Sequence, residues 1–159
     1  MVISYGLYDG VLAEAINQLK FYNVKRLLKP LGRLLLNFDL PEMDGLVPVP
    51  LSIRRLRERG FNQSLLIARV ISKNIRIPLL MDTLLKVRET PPQTGLSAKE
   101  RLLNLKNAFV VKGNVEGLRL FLVDDVMTTG ATVTECSKQL LKAGAKEVVV
   151  LTLARASMM

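Results

Sequence analysis

Two adjacent carboxylates, Asp124 and Asp125, followed closely by Thr128, Thr129, Gly130 and Thr132, are the residues of this sequence whose types and spacing could do chemistry. Three hydroxyls and a glycine that admits close backbone approach suit a phosphate, provided a helix begins there and presents its free N–H groups. The two acids would repel a phosphate, so they need another purpose. Carboxylates accept hydrogen bonds from vicinal sugar hydroxyls, and a magnesium ion bridging a pyrophosphate would let anion and carboxylates coexist. One short segment could therefore read phosphate and ribose together. A plain strand-to-helix turn with a capping side chain is the competing explanation, but capping needs only one such residue.

The rest of the composition narrows the chemistry. The chain has 159 residues, a net charge of +9, one cysteine and no histidine. Without histidine, Ser-His-Asp and Cys-His systems and imidazole-bound metals are excluded, and a lone Cys136 makes neither an internal disulfide nor a multi-thiolate zinc site. Any metal must be a hard ion held by oxygens. The positive charge attracts anions, and phosphorylated small molecules and nucleic acids satisfy it equally. Arg54, Arg55, Arg57 and Arg59 crowd into one short stretch, which localises that potential. No apolar run approaches the roughly 18 residues of a membrane span, and MVISYGLYDG has no export signal, so the expected location is cytoplasmic.

The elements that must position these residues follow from periodicity. Leu12 to Phe21 repeats at helical spacing, and Val24 to Phe38 does so again with Pro30 expected to kink it or restart it. Gly45-Leu-Val-Pro-Val-Pro50 reads as a short strand opening into a basic loop, after which Asn62 or Ser64 caps a helix over Leu65, Leu66, Ala68 and Ile71. Strands are expected at Leu84 to Val87, Ala108 to Val111, Leu118 to Val123 and Val148 to Leu153, and a helix at Ala131 to Ala143. The stretch from 88 to 101 reads as a long loop, and 124 to 132 as another. This alternation predicts one α/β domain with a parallel sheet and right-handed crossovers.

LFLVDDVMTTGAT resembles the signature by which type I phosphoribosyltransferases hold phosphoribosyl pyrophosphate. VPVPLSIRRLRERGFNQS, VRETPPQTGLSAKERLLNLKNAF and a terminal LAR extend the likeness over nearly the whole chain, to the ComF branch of that family. The resemblance implies a phosphoribosyltransferase-like fold over residues 1–159, with helices on both faces of the sheet, a small helical hood in 1–40 and a core in 44–155. It places Asp124 and Asp125 on the ribose 2- and 3-hydroxyls and on magnesium, directly or through those hydroxyls and water. It also places Val126, Met127, Thr128, Thr129, Gly130, Ala131 and Thr132 along the phosphoribosyl group. Val49, Pro50, Arg54 and Arg55, with Arg59, would meet pyrophosphate, and Arg88 to Arg101 would form a mobile catalytic loop using both arginines.

The function implied is magnesium-dependent binding of phosphoribosyl pyrophosphate and transfer of its phosphoribosyl group to an unidentified acceptor. Two alternatives accompany it: an accessory protein of DNA uptake that meets single-stranded DNA or competence proteins, and a regulator that only senses phosphoribosyl pyrophosphate. Aromatic residues are 5% of the chain, few for a single-strand binder. The resemblance also leaves room for a homodimer. ComF proteins commonly carry an N-terminal zinc ribbon, which one cysteine cannot supply within these residues.

Overall fold

The computed structural model describes residues 1–90 and 95–157. At its centre two long parallel strands lie side by side, β5 (Arg119–Met127) and β6 (Glu147–Arg155). β2 (Gly45–Pro48) flanks β5 and β1 (Val2–Leu7) flanks β6, giving the all-parallel order β1-β6-β5-β2. Leu120, Phe121, Leu122 and Val123 are all buried, as a strand covered on both faces requires. Phe121 and Val123 point into one half of the core and Leu120 and Leu122 into the other.

The helices divide accordingly. α1 (Gly10–Tyr22), α2 (Leu28–Leu34) and α4 (Gln63–Ile75) cover the first face through Ile16, Leu19, Leu31, Ile67 and Ile71. α6 (Ala131–Lys142) covers the second through Val133, Cys136 and Leu140, joined by the antiparallel hairpin of β3 (Leu84–Lys86) and β4 (Phe109–Val111). This is the α/β arrangement expected, a parallel sheet with helices on both sides.

Several local expectations need revising. Residues 2–7 form an edge strand that adds to β6, so the segment read as helical hood starts with sheet. The arginine stretch is not a loop but a helix, α3 (Ile53–Arg59), whose first turn is capped by Ser52 and whose end is closed by Gly60 at φ 82°. Another helix, α5 (Ala98–Leu105), begins inside the stretch read as loop, where Ser97 and Glu100 form a reciprocal capping box. Residues 91–94 of that stretch lie outside the described residues. Pro30 marks a fresh start and not a kink: it occupies the third position of α2, within the first turn whose N–H groups need no helical partner, and a 3-10 turn at Lys25–Leu27 leads into it.

Contact between α2 and α4 depends on a missing side chain. A Cβ on Gly32 would lie 2.8 Å from both Cβ and Cγ1 of Val70, a β-branched residue with little rotamer freedom. Glycine to alanine within a helix ordinarily stabilises by roughly 0.5–1 kcal/mol. Here Gly32→Ala is expected to destabilise instead, by about 1–3 kcal/mol, and Val70→Ala in the same chain should recover part of the loss. Chemical denaturation of the single and double variants checks the sign.

Candidate functional site

The carboxyl end of β5 supplies the acids. Asp124 and Asp125 are still strand residues: Asp124 pairs with Thr152 and the ladder runs on through Met127 opposite Arg155. The strand outlasts its apolar run because its parallel partner β6 extends equally far. Adjacent strand residues face opposite ways, so the two carboxyls acquire different surroundings.

Asp125 is buried and fully engaged. Its Oδ2 accepts from Gln63 Nε2 at 3.1 Å and pairs with Lys20 Nζ at 2.8 Å, while Oδ1 accepts from the Val126 N–H at 2.8 Å. Asp124 takes both its hydrogen bonds on Oδ1, from Ser64 Oγ at 3.0 Å and from the Asp125 N–H at 2.9 Å. No described residue donates to its Oδ2. Burial first, and the neighbouring Asp125 second, push the Asp124 carboxyl up to about 7.

The donors come from one short segment. Gly60 ends α3 in the left-handed conformation, Phe61 is buried, and Asn62 caps α4 by accepting from the Ser64 and Leu65 N–H groups. Asn62 Nδ2 also donates to the Val49 carbonyl at 3.0 Å, tying this turn to the end of β2. Gln63 and Ser64 then open α4 and reach the two acids, and Arg59 Nη1 donates to Gln63 Oε1 at 2.5 Å. The positively polarised N-terminus of α4 is thereby aimed at the carboxylates.

Beside the acids, Gly130 stands at φ 78° and starts α6, with the Ala131 N–H 3.5 Å from Thr129 Oγ1. Residues 126–133 curl around a hollow of about 30 Å³ at that helix start, which places Met127, Thr129, Gly130 and Ala131 at its rim. A larger cleft of about 970 Å³ runs over the acids, and Val126, Thr128 and Thr132 face it.

Across this cleft stand Val49, Pro50, Arg54, Arg55, Arg59 and Arg101. The structure separates the arginines by their commitments. Arg54 Nε holds Glu58 at 2.9 Å on an exposed face, and Arg101 Nε donates to the Leu96 carbonyl at 2.9 Å. Arg88 donates to the carbonyls of Asn104 and Lys106, both at 2.8 Å, which fastens the end of β3 to the end of α5 and keeps it off the cleft wall. Arg59 lies against the Phe21 ring of α1, 5.9 Å from its centroid.

Three residues of the site escaped the sequence reading. Lys20 lies four residues after buried Ile16, on the face of α1 that meets the sheet, and a charge at a core-facing position requires a buried partner. That spacing was a readable signal. Ser64 was read as an alternative cap and serves the site instead. Lys86 closes β3 over the Phe109 ring and donates to Thr90 Oγ1 at 3.0 Å, with burial pulling its ammonium below the usual range. Nothing in its sequence context marks it.

A family model described as the phosphoribosyl transferase domain matches residues 47–157, which takes in the end of β2, the acids and α6. The chain belongs to that family. Among its relatives are the DNA utilization protein YhgH of Salmonella typhi, 40% identical over 97% of this chain and 71% of that protein, and competence protein F of Haemophilus influenzae, 40% identical over 98% and 72%. These place the chain in the ComF branch of the phosphoribosyltransferases. Among solved structures, the glutamine phosphoribosylpyrophosphate amidotransferase of B. subtilis, complexed with ADP and GMP, is similar with a TM-score of 0.56 and 27% identity. The match covers 79% of this chain and a quarter (25%) of the other.

Within this phosphoribosyltransferase domain the protein alone would supply a magnesium ion with few of its ligands. Among the described residues no group of three acidic or thiol ligands converges. Asp125 is saturated, so Asp124 Oδ2 is the carboxylate oxygen with capacity left, consistent with an ion that uses one or two carboxylates and takes its other oxygens from phosphate and water. Cys136, buried with its thiol pushed well up by burial, contributes packing.

The raised Asp124 sets a pH dependence of stability. Unfolded, an aspartate titrates near 3.8, and in the fold near 7. Between those values the folded chain holds a proton that the unfolded chain has released, so stability declines as pH rises from about 4 to about 7 and levels off above. Asp124→Asn cannot titrate. Melting profiles collected across that range should show the variant gaining on wild type up to about pH 7; parallel profiles would contradict the assignment.

Proposed function

We propose that this domain binds phosphoribosyl pyrophosphate with magnesium and transfers the phosphoribosyl group to a nucleophile, displacing pyrophosphate. The observation that carries the reading is one continuous cleft in which a carboxylate with a spare oxygen, Asp124, adjoins a glycine-led helix start at Thr128–Thr132 and faces Arg55 and Arg101. Each part answers one part of the ligand.

The helix start would take the 5-phosphate on its first N–H groups and threonine hydroxyls, and Asp124 Oδ2 would accept from a ribose hydroxyl. Asp125 would act through Asp124 and the backbone, since Lys20, Gln63 and the Val126 N–H occupy it. The loop after β2, with Arg55, and Arg101 beyond it would receive the pyrophosphate oxygens. As the acceptor's lone pair forms its bond to C1, the C1–O bond breaks and the electron pair departs with pyrophosphate. Magnesium, when bound with the ligand, neutralises charge that builds on that leaving group. With no histidine available, the rate rests on positioning and on fixed positive charge.

Names given to the relatives, competence protein F and DNA utilization protein, favour a second reading in which the domain serves DNA uptake. The two readings part on Asp124. Calorimetric titration with magnesium phosphoribosyl pyrophosphate should give saturable binding that Asp124→Asn weakens about 10- to 100-fold, the loss expected for a hydrogen bond to a charged group. Filter binding of an oligonucleotide that falls steeply with salt and ignores Asp124→Asn, together with no response to phosphoribosyl pyrophosphate, would favour the DNA reading. Binding without pyrophosphate release across a panel of nucleobases and amines would leave a sensor of the same ligand.

A further inference from the structure

Arg59 is a half-buried guanidinium whose hydrogen-bonding capacity is mostly unspent. Nη1 donates to Gln63, whereas no described residue accepts from Nε or Nη2, and no described carboxylate lies within ion-pair distance. Burial pulls its charge in the unfavourable direction, and Asp125 offsets that only at a distance. A guanidinium left in this condition is suited to an incoming anion, and its free Nε–Nη2 edge matches the two oxygens of a carboxylate.

Its surroundings add a shape. Phe21, on the α1 side of the cleft, is 68% exposed although it is a large apolar ring, and Arg59 packs against it. Phe61 is a second aromatic in the cleft lining beside Phe21. Lys20 adds a second positive charge and Asp125 one negative charge. This end of the cleft is thus flat, apolar on one wall and net positive. It is distinct from the helix start at Thr128–Thr132, yet both open onto Asp124.

We infer that the α1 side of the cleft is the acceptor subsite and takes a planar aromatic or heteroaromatic carboxylate, its ring along Phe21 and its carboxylate on the Nε–Nη2 edge of Arg59. This rests on the phosphoribosyl reading of the same cleft. It gives to the acceptor an arginine that the resemblance put on pyrophosphate: Arg59 stands one helical turn beyond Arg55, where α3 meets Phe21 of α1. The stacked ring contributes area and orientation, and the arginine fork discriminates a carboxylate from its amide.

The test uses the full chain and a panel of pairs: benzoate and benzamide, nicotinate and nicotinamide, observed by saturation-transfer NMR, with phosphoribosyl pyrophosphate binding measured calorimetrically on the same sample. Carboxylates are expected to show saturation transfer and their amides to bind at least about 10-fold more weakly, the cost of losing a charge-assisted bond. Arg59→Gln should abolish the carboxylate signal. Arg59→Lys, which keeps the charge and loses the fork, should weaken it by a similar factor and guards against a misfolded first variant. Phe21→Leu should reduce the signal from the ring protons. Equal binding of acids and amides, no carboxylate signal at all, or a signal that survives both arginine variants would overturn the inference. If phosphoribosyl pyrophosphate binds and the carboxylates do not, only the acceptor assignment fails; if phosphoribosyl pyrophosphate does not bind, the functional reading itself fails.

Discussion

Two carboxylates side by side at a strand end, one of them buried, are the constraint around which the rest of this domain is arranged. An unpaired buried carboxylate is among the most expensive groups a fold can contain. Asp125 is made tolerable by an ammonium from α1, an amide from α4 and its own backbone. The consequence is architectural. Helix α1 cannot shift without unpairing Lys20, and α4 cannot rotate without withdrawing Gln63 and Ser64, so the first layer of helices is registered on the sheet by the same atoms that form the site.

The RGFNQS segment is where this registration is encoded. Arg59 steadies Gln63, Gly60 supplies the left-handed turn, Phe61 fills the core, Asn62 caps α4 and holds β2, and Gln63 and Ser64 reach the acids. A compact string of six residues thus joins the end of one helix to the start of the next while delivering two donors to a point 60 residues later in the chain. Each position is constrained by a different physical demand, which explains why so specific a word stands between two ordinary helices.

What could be read from the sequence was whatever local pattern determines. The β5 apolar run, the TTGAT helix start and the α1 and α4 periodicities all express spacing, and the structure has them where expected. The misses arise where tertiary contacts decide. β1 is a short strand with only moderate burial, and it exists because β6 offers an open edge. α3 is dense in arginine and short, so charge masked a helix that Ser52 and Gly60 delimit. The arginines were legible as a group but not as individuals: Arg88 is turned to backbone carbonyls and Arg54 to Glu58, distinctions that depend on where the chain folds back. Ser97 and Glu100, by contrast, had the capping-box spacing in plain view.

The two acids end up with unequal tasks, and the inequality follows from strand geometry. Because neighbours on a strand face opposite ways, Asp125 meets the helices and becomes a rivet that holds its charge with Lys20. Asp124 has one oxygen committed and one turned toward the cleft, and it carries the penalty of its neighbour's charge. Its affinity for a proton comes first from burial and second from that repulsion, and any cation or donor that approaches from the cleft side relieves it. Under the proposed reading, a magnesium-bearing ligand with free sugar hydroxyls brings both. The acid that the fold leaves least comfortable is the one placed to gain most from that ligand, whereas an acid pair fully satisfied by protein would have nothing left to offer it.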